Sequence, residues 1–151
     1  MTPTTLFVCS LCRFSAEERS RDGIAGGQYL INQLQQALSE RDLQAVVHLE
    51  PTRCMAACKR PCNISLTAPG KLTFILSDVS PESGAATITE FCQQYTESSD
   101  GRVPYRERPL DIRQATAFVL PPLPTSHRRF PCIKFPLRSS LAFLALAKPP
   151  W

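Results

Sequence analysis

Five of the seven cysteines fall in two short segments: Cys9 and Cys12 in "CSLC", and Cys54, Cys58 and Cys62 in "CMAACKRPC". Thiolates are soft ligands, and short spacings let neighbouring sulfurs turn toward one centre. On a helix, four-residue steps place side chains on a single face; in a loop, the same residues curl around one point. Four thiolates suit a tetrahedral zinc ion or a [2Fe–2S] cluster. A C-x-x-C at the end of a strand also suits a redox dithiol. At the level of spacing, three chemistries stay open. One is an iron–sulfur centre for electron transfer or sensing. The second is a four-cysteine zinc site in a structural or metal-handling module. The third is thiol–disulfide exchange by Cys9 and Cys12.

The rest of the composition narrows the setting. A chain of 151 residues suits one domain and buries a core without disulfide staples. The first residues lack a basic region followed by an apolar stretch, so no secretory signal is expected. Leu141 to Ala147 is too short to span a bilayer. The expectation is a soluble, cytoplasmic protein, where thiols stay reduced and clustered cysteines bind metal or do redox chemistry. The net charge of +4 is unevenly spread. Six of the seventeen basic residues lie beyond Asp111, and no acidic residue does. What precedes is mildly acidic, which argues against nucleic-acid binding by the folded part.

The elements that must position the cysteines read as follows. Thr5 to Val8 forms a short apolar strand ending at Cys9. In "GIAGGQYLINQLQQALSERD", Ile24, Leu30, Ile31, Leu34, Ala37 and Leu38 make one helical stripe. "LQAVVHLE" alternates as a strand, with Leu43, Ala45, Val47 and Leu49 on one side, and Pro51 ends it. "NISLTA" and "KLTFIL" flank a "PG" turn and predict a hairpin. A second helix follows, with Ser80 as its N-cap and Pro81 at its first position, and with Ala85, Ile88, Cys92 and Tyr95 on one face. A strand–helix–strand unit crosses over right-handed and makes its two strands parallel. The order βαβ–ββα is that of a thioredoxin-like α/β sandwich. The division expected is a metal-binding domain over residues 1–111 and a basic tail over 112–151 that holds half of the fourteen prolines and is weakly ordered.

The segments "LFVCSLCR" (6–13), "CMAACKRPCNISL" (54–66) and "SSDGRVPYRERP" (98–109) resemble a family of predicted metal-binding proteins, DUF1636, over about residues 5–124. That family is in turn similar to the thioredoxin-like [2Fe–2S] ferredoxins. The resemblance implies an iron–sulfur cluster, with Cys9, Cys54 and Cys58 on three of the four ligand positions. The ferredoxins carry their second ligand farther along, near the start of helix one. Here that region reads "GIAGGQ", so Cys12 takes the role. Cys62 replaces part of a Gly-Pro site and adds a fifth thiol, a spare or substitute ligand. Pro61 falls near the position of that fold's cis-proline. Arg13, Arg53, Lys59 and Arg60 would offset the negative charge of such a centre.

Other chemistry-bearing residues are set apart. Cys92 reads as a buried structural thiol, and Cys132 lies outside the resemblance. His48 reads as a surface histidine, and His127 lies in the tail. No Ser–His–Asp arrangement or spaced carboxylate pair is visible. An electron carrier or metal-binding protein with a redox or metal-handling protein partner is expected, rather than an enzyme.

Overall fold

The computed structural model describes residues 3–123. His127, Cys132 and the apolar run at 141–147 lie outside them.

The first strand, β1 (Thr4–Cys9), is followed by a two-residue hairpin of β2 (Ser20–Arg21) and β3 (Ile24–Ala25). Helix α1 (Gly26–Glu40) then returns the chain, and β4 (Val47–Thr52) runs parallel to β1. Next come β5 (Ile64–Thr67) and β6 (Thr73–Leu76), paired antiparallel. Helix α2 (Gly84–Glu97), the short α3 (Leu110–Ala115) and β7 (Thr116–Leu120) complete the order. The main sheet runs β4-β1-β5-β6-β7. Its β4-β1-β5-β6 part, with one parallel and two antiparallel pairings and with α1 packed beside α2, is the thioredoxin-like arrangement.

The helices exist because each has an apolar stripe to bury. Leu30, Ile31, Leu34 and Leu38 of α1 are all buried, as are Ile88, Phe91, Cys92 and Tyr95 of α2. They join Leu6, Val8, Ile64, Leu66, Phe74 and Leu76, the alternate residues of three central strands. Phe74 meets Phe91 and Tyr95 edge to face, with centroids 5.0 and 6.1 Å apart. Each such buried side chain contributes roughly 1.5–3 kcal/mol of transfer free energy.

Several expected boundaries move, each for a local reason. Residues 43–46 form turns rather than strand: Leu43 N–H bonds back to Leu38, and Val46 and Val47 N–H bond to Leu43. The strand begins at Val47 and runs through Pro51. It tolerates the proline because β4 is a sheet edge, paired only with β1. Ile24 pairs with Arg21 in the small hairpin instead of opening α1. Ser80 caps a turn before α2: its hydroxyl accepts from Ser83 N–H at 3.3 Å, and the helix proper starts at Gly84. Element α3 straddles residues 111 and 112, and β7 adds a fifth strand against β6. Among the described residues, no helix is long and apolar enough to cross a membrane.

Candidate metal centre

Three stretches of chain meet at the carboxyl ends of the parallel pair β1 and β4. Strand register brings Cys9 opposite Thr52, and Ser10 N–H bonds to the Thr52 carbonyl at 2.8 Å. The segment after β1 and the segment after β4 therefore leave the sheet side by side. Strand β5 enters antiparallel beside β1, pairing Val8 with Ile64, so Cys62 and Asn63 arrive at the same edge. Cys9 N–H donates to the Asn63 carbonyl at 3.0 Å. Clefts at such strand ends are where open α/β sheets usually bind ligands.

The turn holding Cys9 and Cys12 lies directly against the start of α1. Gly27 N–H donates to the Cys12 carbonyl at 3.0 Å. A Cβ on Gly26 would collide with the Arg13 carbonyl, and one on Gly27 with the Cys9 carbonyl. These two positions need glycine for close backbone approach.

The five thiols separate into two sets. Cys9, Cys12 and Cys62 are buried, and Cys54 and Cys58 are exposed on the loop that follows β4. The buried three act on one another's protons. Hydrogen bonding from Cys62 holds the Cys12 thiol well below the ordinary thiol range, helped by Cys9 and Asn63 and opposed by burial. Cys62 is pushed up by the same bond and by burial, so it is the proton-holding partner. Its sulfur also lies 3.6 Å from the Arg13 carbonyl. Cys9 is raised mainly by burial.

Amide groups point at three of the sulfurs. Backbone N–H groups of Met55 and Leu11 favour the Cys9 thiolate. The backbone N–H and side-chain amide of Asn63 favour that of Cys12, the latter at 3.5 Å. Ala56 N–H donates to Cys54 at 3.4 Å. Ala56 adopts φ +58°, a left-handed turn uncommon for a residue with a Cβ, and this conformation accompanies that bond.

The loop after β4 touches the buried set where it begins. The Cys9 sulfur lies 3.9 Å from the Arg53 carbonyl, one residue before Cys54. Arg13, Arg53, Lys59 and Arg60 are exposed around this edge. The Pro61–Cys62 peptide bond is cis, which puts the cis bond after Pro61 rather than before it.

As folded, no set of three or more His, Cys, Asp or Glu side chains among the described residues is arranged to hold a metal ion. The donor chemistry nevertheless fits a thiolate-bound centre. Five soft ligands lie on adjoining segments, one already favours its anion, and amides face three sulfurs. Cys92 is fully buried in α2, away from this edge. His48 is exposed and bonds to Glu50 at 3.0 Å.

Spacing did not single out Asn63 or assign the glycines their packing role. A glycine pair before a helix is the local signal that could have pointed to this close packing.

Residues 6–122 match the family described as "Protein of unknown function (DUF1636)". The chain belongs to that family. No curated protein matches it. Among solved structures it is similar to a thioredoxin-like [2Fe-2S] ferredoxin from Aquifex aeolicus, at 17% identity over 66% of this chain and 87% of that one, with a TM-score of 0.45. A second structure of the wild-type ferredoxin matches at 17% identity over 64% and 88%, also with a TM-score of 0.45.

Proposed function

We propose that this protein holds a [2Fe–2S] cluster on Cys9, Cys12, Cys54 and Cys58 and serves electron transfer or sensing. The observation that carries the reading is the contact between segments: the Cys9 sulfur lies 3.9 Å from the Arg53 carbonyl, beside Cys54. A bound cluster supplies one-electron chemistry. The chain's own residues do the rest. Cys9 and Cys12 offer sulfur from the buried side, and Cys54 and Cys58 from the exposed loop. The amides of Leu11, Met55, Ala56 and Asn63 offset negative charge on sulfur. The surrounding cations extend that offset toward solvent and toward an unidentified protein partner.

Purification without oxygen, followed by reconstitution with iron and sulfide, tests this. The expected product is brown, absorbs in the visible, and holds iron and acid-labile sulfide in equal amounts, about two of each per chain. Stoichiometric zinc without iron would select a zinc site on four cysteines instead.

One observation favours a second reading, thiol–disulfide exchange. Cys12 favours its thiolate and lies beside Cys9, as a redox dithiol requires. That reading predicts a dithiol potential that survives replacing Cys54 and Cys58 by serine.

A further inference from the structure

One side chain stands between the two cysteine segments. The amide nitrogen of Asn63 donates to the Cys12 sulfur at 3.5 Å and to the Ala57 carbonyl at 3.0 Å. The backbone of the same residue accepts from Cys9 N–H at 3.0 Å. Asn63 thus contacts the backbone of Cys9, the sulfur of Cys12 and the loop that carries Cys54 and Cys58. It is 2% exposed, and its bond to the Cys12 sulfur forms away from competing water.

The orientation of the amide follows from its neighbours. A backbone carbonyl can only accept, so the nitrogen of Asn63 and not its oxygen must face Ala57. Both protons of that nitrogen are then engaged. The price is the other end of the group: Asn63 Oδ1 is buried without a hydrogen-bond partner. A leucine of similar size would bury no orphaned oxygen. Packing alone therefore does not account for asparagine here. What asparagine adds is a fork that joins a sulfur to a loop.

The Ala57 carbonyl lies between Cys54 and Cys58 in sequence. Holding it fixes the middle of the C-x3-C segment against the buried thiols. A hydrogen bond to a ligand sulfur also stabilises its more electron-rich state, a recognised means of setting a centre's potential.

We propose that Asn63 is the positioning residue of the centre, pinning the Cys54–Cys58 loop over Cys12 through Ala57 while hydrogen-bonding the Cys12 sulfur. The pinning stands on the contacts alone. The effect on potential rests on the cluster reading above.

The test has metal-free and loaded arms. In the metal-free wild-type chain, NMR should find the Asn63 side-chain amide protons protected from solvent exchange by about tenfold or more relative to exposed asparagines. Asn63→Leu removes both donors and Asn63→Asp removes both N–H groups at similar size, and hydrogen exchange at residues 54–60 should accelerate at least about tenfold in Asn63→Leu. In iron- and sulfide-loaded protein, each variant should shift the redox equilibrium about tenfold toward the oxidised form, about 59 mV for one electron. Freely exchanging Asn63 amide protons in the wild type overturn the proposal, whether or not the variants fold. So does a wild-type potential in a variant whose loop exchanges faster, because Asn63 would then be structural only. Failure of the wild type to take up iron and sulfide removes the cluster reading and leaves the pinning to be decided by the metal-free arm.

Discussion

Gly27, at the start of α1, lies in contact with the Cys9 carbonyl so closely that no Cβ fits between them. The partner is backbone at the end of a central strand, with no flexible side chain to give way. Helix propensity alone favours alanine over glycine by up to about 1 kcal/mol. Overpacking against a fixed atom costs roughly 1–3 kcal/mol or more. Against backbone the clash lies at the upper end of that range and outweighs the propensity gain, so Gly27→Ala should lower stability by a net of about 2 kcal/mol. Urea unfolding of the metal-free chain measures it. A variant as stable as the wild type would mean that the C-x-x-C turn does not rest on the helix as described.

The thiols should differ in chemical reactivity as their burial differs. Cys54 and Cys58 are exposed, whereas Cys92 is fully buried and pushed up to about 12 by that burial. In the metal-free protein with Cys132 replaced by serine, a maleimide at neutral pH should label Cys54 and Cys58 at least about a hundredfold faster than Cys92. Peptide mass analysis at timed quenches gives the rates. Equal labelling would contradict the packing of α2 against the sheet.

Alkaline stability follows from two groups on α2. Burial raises Cys92 from 9.0 and Tyr95 from 10.0, both to about 12. Each keeps its proton in the folded state where the unfolded chain has lost it. Their contribution is therefore intact below about pH 9 and declines between pH 9 and 12. Each group removes up to about 1.4 kcal/mol per pH unit within its own window. Lys71 works in the opposite sense. Burial lowers its pKa, so the cost of holding it charged fades as pH rises. Isothermal unfolding at stepped pH should show the decline, and Cys92→Ala should flatten its onset near pH 9. An unchanged slope in that variant would dismiss Cys92 as a contributor.

The sequence displayed the core and the thiols far better than what joins them. The stripe Leu30, Ile31, Leu34 and Leu38 is a simple periodic signal, and α1 buries all four residues. The hairpin was equally plain, since Leu66 opposes Phe74 and Ile64 opposes Leu76 across the turn. Strand β4 misled because Leu43 to Val47 alternates like a strand, while its backbone closes turns onto Leu38 and Leu43. The hydrogen bonds of a turn leave no mark on hydrophobic spacing. Strand β7 escaped because "TAFVL" is short and adjoins a proline-rich stretch. At the site, cysteine spacing singled out the five thiols that are the candidate ligands. Asn63 was invisible, because nothing local distinguishes an asparagine that bridges two distant segments from one in a turn.

The roles of Cys62 and Cys54 give the sharpest test of the ligand set. Cys62 is fully buried, and its sulfur faces Cys12 and the Arg13 carbonyl, where it holds its proton. Cys54 is exposed, with the Ala56 amide on its sulfur. A ligand must release its proton and reach the metal. Serine at 62 keeps a donor for the Arg13 carbonyl, whereas serine at 54 removes a soft ligand. Cys62→Ser should therefore retain most of the iron and sulfide of the wild type, at a modest loss of stability. Cys54→Ser should lose about tenfold or more in affinity for the centre. Metal and sulfide analysis of the two variants, reconstituted side by side with the wild type, decides it. If Cys62→Ser is the one that fails to load while Cys54→Ser loads fully, the fifth thiol is the ligand and the exposed loop supplies fewer than two.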